Sequence, residues 1–285
     1  MLRILKMDLR RLFRTRAMYV SMAILMAIIL ITAGTVLYMT SRSLRELANI
    51  AKSMMEEDPQ GMNIDAATTY VQLMGGEEQL KVMVRQTMDI MRLMQVPFAP
   101  NMVHLMIAVI AALYASKDYT SGYLKNLLCV PRMKQKWLIG KAAAMLVAAV
   151  MVYLAIFLAA LIGTTMLGNS ITTTWGALFL FLGKEMLVSL ALCAIVLFIL
   201  TLTQNKTAAL VLGMVISVNM QMIIFFLIDS LNFLPFRLRE WGLMSQASRL
   251  LSGGETPYLV VTALVFMAAG FGISWWAITR RDLKM

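Results

Sequence analysis

The chain has 285 residues, of which 60% are hydrophobic and only 14% charged. Soluble domains carry about 25% charged residues, so a soluble globular class is excluded. Several charge-free runs exceed the roughly 20 residues needed to cross a bilayer, and the sequence reads as an all-α, polytopic membrane protein folded as one bundle. The net charge of +11 lies in Lys and Arg beside the apolar runs. That is the pattern that sets membrane orientation, and it does not imply a nucleic acid partner. Cys129 and Cys193 fall in a basic stretch and inside an apolar run, so neither reads as half of an exported disulfide.

Residues 1–16 predict an interfacial helix. Leu2, Leu5, Leu9, Leu12 and Phe13 share one helical face, and Arg3, Lys6, Arg10, Arg11, Arg14 and Arg16 take the rest. A basic amphipathic helix joined to a span lies in the membrane interface, with Arg10, Arg11 and Arg14 as its headgroup-facing cations. The first apolar run, 17–41, starts after Arg16 and lacks a small-residue cleavage site, so it reads as a retained span rather than a signal peptide. Residues 42–97 are hydrophilic, with two helical patterns separated by Asp58-Pro59-Gln60-Gly61 and Gly75-Gly76. They predict an extracellular helical hairpin, which serves either as packing above the membrane or as a lid over a substrate vestibule. Its Met88, Met91 and Met94 are spaced three apart, and soft sulfur suits Cu(I), although methionine also fills apolar helix faces.

Further spans are expected at 98–115, 142–167, 175–202, 207–228 and 256–279, for six in all. The third is rich in alanine, which permits close helix packing. Residues 229–255 are too long and too apolar for a simple loop. The N-terminus and the 116–141 segment each hold six Lys or Arg, which places both chain ends and that segment on the cytoplasmic side.

Within 116–141, Lys117, Lys125, Arg132, Lys134, Lys136 and Lys141 face a single acid, Asp118. Gly122 ends or turns a helix. Tyr123, Leu124, Leu127 and Leu128 then form one apolar stripe, and Pro131 stops it. This pattern resembles the permease subunits of type-two ABC exporters. In that family the second span ends in an acid, followed by a turn, a leucine-rich coupling helix and a basic segment opening the third span. Asp118, Ser121-Gly122, Tyr123 to Leu128, Pro131-Arg132 and Gly140-Lys141 fill those places. The match departs in that Thr120 and Ser121 precede Gly122 where the family has a following Thr, and in that Arg132 directly follows Pro131.

The resemblance implies that Tyr123, Leu124, Leu127 and Leu128 insert in a groove on a separate ATPase subunit, with Asp118 and Arg132 anchoring the helix ends. It further implies that residues 1–16 are the family's elbow helix, that 229–255 holds short helices dipping into the outer leaflet, and that a second permease, identical or related, completes the membrane part. Without the resemblance, 116–141 is an ordinary basic cytoplasmic loop.

No phosphate-binding loop occurs. Gly176 to Lys184 ends in Gly-Lys, but with the wrong spacing and with Glu185 where Ser or Thr is required. The chain is therefore expected to bind no cofactor and no metal and to be no enzyme, with ATP and Mg2+ held by the partner ATPase. Three polar residues in spans are candidates for a translocation path: His104, near the outer end of the second span, and Asn219 and Gln221 in the fifth. Asn219 and Gln221 equally suit hydrogen bonding across helices, and His104 reads first as a packing or hydrogen-bonding residue. Lys184 and Glu185 point about 100° apart on a helix, so they sit near the outer interface or have partners on other helices; the first placement is preferred.

The expected function is the transmembrane subunit of an ATP-driven exporter in a bacterial plasma membrane. Its substrate would be an amphipathic or hydrophobic compound, such as an antimicrobial peptide or drug. Within the family the chain looks most similar to the bacitracin and lantibiotic self-protection permeases. Lipid, glycan or copper-related cargo, and a channel or scaffold without an ATPase, are the alternatives.

Overall fold

The computed structural model describes residues 2–57, 89–99, 101–120, 133–168, 173–230, 237–251, 256 and 258–280. Among them there is no strand, and the helices are α1 (Leu2–Phe13), α2 (Arg16–Glu57), α3 (Ile90–Gln95), α4 (Met102–Thr120), α5 (Met133–Met166), α6 (Trp175–Thr203), α7 (Lys206–Ser217), α8 (Gln221–Ser230), α9 (Leu238–Trp241), α10 (Leu243–Leu251) and α11 (Leu259–Arg280). Five helices are long and apolar enough to cross a membrane, and six spans result if the bent pair α7–α8 counts as one. The protein is thus an all-α, multi-pass membrane protein. Of α2, only Arg16–Tyr38 is apolar enough to span. At 1.5 Å per residue the whole helix is about 63 Å long, twice a bilayer core. Its polar second half therefore runs on past the membrane as a continuous rod.

The chain divides into two compact units. The first comprises Met1–Leu25, Pro97–Ile156 and Trp175–Met285. In it α4 packs on α6 and α7, α7 packs on α6, and α6 packs on α11. Lipid is as apolar as the side chains, so close contact rather than escape from water holds such helices together. Two glycines mark the closest approaches. A Cβ on Gly213 would lie 3.0 Å from Val196 Cγ2, and one on Gly270 would lie 2.9 Å from the Ala194 carbonyl carbon and oxygen. Backbone thus meets backbone where α11 crosses α6.

The second unit comprises Met26–Val96 and Phe157–Thr174. Ile29 and Ala33 of α2, Ile90, Leu93 and Met94 of α3, and Ala159 and Ala160 of α5 are its buried apolar residues. Asp89 caps α3 by accepting from the Ile90 amide at 2.7 Å, and the Thr173 hydroxyl donates to the same carboxylate. Met94 is fully buried and belongs to this core. Met88, and most of the expected hairpin, lie outside the described residues.

Four expected boundaries need correction. The second span is not 98–115: its helix begins at Met102 and continues to Thr120, because Pro97 and the turn at 96–99 precede it. The third begins nine residues before 142, at Met133. Of the polar stretch 116–141, only 121–132 therefore lies between the helices and outside the described residues. The fifth span is not one helix over 207–228 but two, bent by 62°. Asn219 stands at the break with φ 66°, a left-handed conformation that asparagine tolerates better than most residues. The preferred interfacial placement of Lys184 and Glu185 also fails. Helix α6 begins at Trp175, Glu185 is fully buried, and its partner lies on another helix.

Candidate functional site: two buried polar centres on one helix

Helix α4 carries a polar centre near each end, at His104 and Asp118. The fourteen helical steps from one to the other correspond to about 21 Å along the axis.

The Asp118 centre joins α1, α4 and α5. Asp118 is 1% exposed. Its Oδ1 accepts from Arg11 Nη1 at 3.0 Å, and its Oδ2 accepts from the Trp137 indole N–H at 2.7 Å. Lys141 Nζ, fully buried, lies 2.8 Å from Asp118 Oδ2 and 3.2 Å from Asp8 Oδ1. Lys141 also stands 4.0 Å over the ring of Tyr114, an attractive cation–π arrangement. The Tyr114 hydroxyl donates to the Asp8 carbonyl at 3.2 Å. Beside the cluster, Lys117 Nζ donates to Thr15 Oγ1 at 3.0 Å, at the turn between α1 and α2. Two acids and two bases balance, so the cluster brings no net charge into the bundle. Charged hydrogen bonds of this kind are roughly twice as strong as neutral ones, and they offset the cost of taking the ions out of water.

The sequence of α1 explains its docking. Asp8, Leu12 and Thr15 recur at four and three residues and are all buried, which makes them one helical face. The apolar stripe expected from the leucines is rotated accordingly: Leu12 is fully buried, but Phe13 is 40% exposed. Arg10 and Arg14 point to the outside, as an interfacial helix requires. Arg11 instead reaches a buried carboxylate. Asp118, expected to anchor a coupling helix, has its partners within the bundle, on α1 and α5. Gly122, Tyr123, Leu124, Leu127, Leu128 and Arg132 lie outside the described residues.

The other centre joins α4 to α6. His104 Nε2 and Glu185 Oε2 are 3.2 Å apart and both side chains are 0% exposed. The approach is close but off-axis. None of the four heteroatoms, His104 Nδ1 and Nε2 and Glu185 Oε1 and Oε2, has a hydrogen-bond partner among the described residues. The rings of Phe98 and His104 meet edge to face, with centroids 6.0 Å apart. Phe98 also meets Tyr153 and Phe181. One turn beyond Glu185, Ser189 Oγ lies 2.7 Å from the Tyr153 hydroxyl of α5.

Of the three polar residues considered for a path, only His104 is buried in the bundle. Asn219 and Gln221 sit together at the α7–α8 bend, where Gln221 Nε2 donates to Asn219 Oδ1 at 3.1 Å. Asp8, Trp137, Lys141 and Glu185 were not singled out by the sequence as site residues. One signal was available for Asp8: it is the only acid in the first 45 residues, and it stands four before the most buried leucine of its helix.

These features define an all-helical, multi-pass membrane protein whose N-terminal helix is ion-paired into a bundle. The model of the ABC-2 family transporter protein matches residues 64–220. This is more than half of the chain, and the chain belongs to that family. The match contains Asp118, Trp137, Lys141, His104 and Glu185, whereas Asp8 and Arg11 precede it. No curated protein matches the chain significantly. The protein is a transmembrane transporter subunit.

Proposed function

We propose that this subunit is the permease of an ATP-driven exporter. Separate ATPase subunits bind ATP and Mg2+, and a second permease, identical or related, completes the membrane part. In this reading 121–132 is the coupling helix. Tyr123, Leu124, Leu127 and Leu128 enter a groove on the ATPase, and Gly122 and Arg132 bound the helix. Both chain termini are cytoplasmic, the membrane is a bacterial plasma membrane, and the cargo is amphipathic or hydrophobic, of the antimicrobial-peptide or drug type.

The observation that carries the reading is the Asp8–Lys141–Asp118–Arg11 cluster. Residues 121–132 leave α4 two residues after Asp118 and enter α5 eight residues before Lys141. Both flanks are thus ion-paired, directly or through each other, to α1. A push delivered to 121–132 then moves α1, α4 and α5 together instead of being absorbed by a loose loop, which is what a population shift between two bundle states requires.

Detergent pull-down of the tagged protein, expressed with its chromosomal neighbours, tests this. The expected result is a co-purifying ATPase with wild type and its loss with a folded Leu124→Asp, Leu127→Asp variant. Equal recovery of the ATPase with the variant, or none with wild type, removes the coupling assignment and leaves a channel or scaffold.

A further inference from the structure

We propose that the outward face of α1 is a binding site for an anionic phospholipid, whose headgroup meets Lys6, Arg10 and Arg14 and whose acyl chain lies against Leu9 and Phe13. The inference gives the N-terminal helix a partner, and it rests on the cytoplasmic placement of that helix proposed above.

The structure sorts the cations of α1 into two sets. Arg11 turns inward to Asp118. Lys6, Arg10 and Arg14 are exposed, and they make no ion pair or side-chain hydrogen bond among the described residues. They are four residues apart, a rise of about 6 Å at each step. The Arg14 amide still donates to the Arg10 carbonyl at 3.2 Å, so the helical turn carries through Arg14. At about 100° per residue the three cations fall within an arc of about 80°, opposite the buried Asp8, Leu12 and Thr15. Asp8 is taken by Lys141, and no other acid occurs in the first 45 residues. No carboxylate of α1 therefore neutralises the stripe. Arg16 and Lys117, both exposed, extend the positive surface at the α1–α2 turn, where Lys117 holds Thr15.

The stripe has an apolar border. Leu9 stands three residues after Lys6, and Phe13 three after Arg10, so each is a surface neighbour of its cation. Leu9 is half-buried and Phe13 is exposed. Cations beside apolar side chains on one interfacial helix suit a ligand with a charged head and an apolar chain. An orientation signal needs only a number of Lys and Arg. Here Asp8, Arg11 and Leu12 lock α1 to the bundle, so the stripe is held in place before it binds, which lowers the cost of binding. Phosphate oxygens accept from guanidinium and ammonium groups, and the cytoplasmic leaflet is the one that carries anionic lipid. A zwitterionic headgroup would bring its own ammonium against the stripe.

Native mass spectrometry tests the site by counting the lipids that stay bound. The full-length protein is released from micelles holding equal amounts of dioleoylphosphatidylglycerol and dioleoylphosphatidylcholine. Wild type should retain the anionic lipid in preference. Each Lys or Arg at an anionic surface multiplies affinity about fivefold, so Lys6→Gln, Arg10→Gln and Arg14→Gln together should lower that retention about tenfold or more. Phe13→Gln keeps every cation and should also lower it. Lys136→Gln with Lys206→Gln removes exposed cations elsewhere and should leave the preference unchanged. Denaturant unfolding without lipid should find the triple variant as stable as wild type, which excludes loss of the fold as the cause. Equal retention of the two lipids by wild type, an unchanged preference in the triple variant, or the same loss in the control pair overturns the proposal. Displacement of the lipid by glycerophosphoglycerol, which has the headgroup without the chains, also overturns it and leaves a site for water-soluble phosphates. Micelles have no sides and hold no ATPase, so failure of the topology or of the coupling assignment appears in other experiments.

Discussion

The two polar centres of α4 solve the same problem in opposite ways. At Asp118, four charges balance, both oxygens of its carboxylate are engaged, and an indole and a phenol hydroxyl contribute; within the cluster Asp8 Oδ2 alone is buried without a hydrogen-bond partner among the described residues. At His104, two buried groups meet at 3.2 Å without a hydrogen bond to each other or to any described residue. Taking ions out of water costs several kcal/mol each unless the geometry is good and the remaining polar atoms are satisfied. A satisfied network is rigid, and a half-satisfied one is a weak point of the fold. The difference teaches that the first centre belongs to the permanent frame, while at the second an exchange of partner disturbs little.

The largest expected effect breaks the frame. Lys141→Met leaves Asp8 without its ion partner and Asp118 with only Arg11 and Trp137. Orphaning a buried charge costs about 3–5 kcal/mol, so denaturant unfolding in detergent should show a large loss of stability. Adding Asp8→Asn to Lys141→Met removes one of the orphaned charges and should recover part of the loss. Wild-type stability of Lys141→Met would show that the cluster does not hold α1 to the bundle.

A purely apolar contact calibrates that number. Gly270→Ala puts a methyl group 2.9 Å from the Ala194 carbonyl, and backbone cannot rotate away as a side chain can. Overpacking of this kind costs about 1–3 kcal/mol. The same unfolding measurement should rank it below Lys141→Met. A loss as large as that of the lysine variant would mean that the α6–α11 crossing, and not the charge cluster, dominates the stability of this unit.

Much of the frame was legible in the sequence because long apolar runs report directly on spanning helices, and α6 and α11 fall within a few residues of their expected bounds. The boundaries failed where polar residues are buried. Trp137 and Lys141 lie in a stretch that reads as a basic loop, and a lysine counted as an orientation signal is locally indistinguishable from one that is ion-paired inside a bundle. Asp118 was legible as a residue of interest but not its partners, since Asp8 and Lys141 are brought to it only by the packing of α1 and α5. The same holds for Glu185, whose neighbour Lys184 is adjacent in sequence but whose close contact, His104, is on another helix. The α7–α8 bend has only a weak local signal, Asn219, in a run otherwise apolar enough to continue as one helix.

The smallest expected effect is the sharpest test of the contrast. Glu185→Gln keeps the volume of the side chain, removes its charge and breaks no hydrogen bond, because Glu185 makes none among the described residues. Removing one partner of a well-bonded buried pair is costly, but the His104–Glu185 contact has no hydrogen bond among the described residues to lose. The variant should therefore unfold within about 1 kcal/mol of wild type, the range of an ordinary hydrogen-bond change. If it loses as much stability as Lys141→Met, His104 and Glu185 are a structural latch equivalent to the Asp118 cluster. If it is as stable as wild type, the α4–α6 contact at His104 adds nothing to the frame that a neutral side chain of the same shape cannot supply, and the contrast with the Asp118 cluster stands.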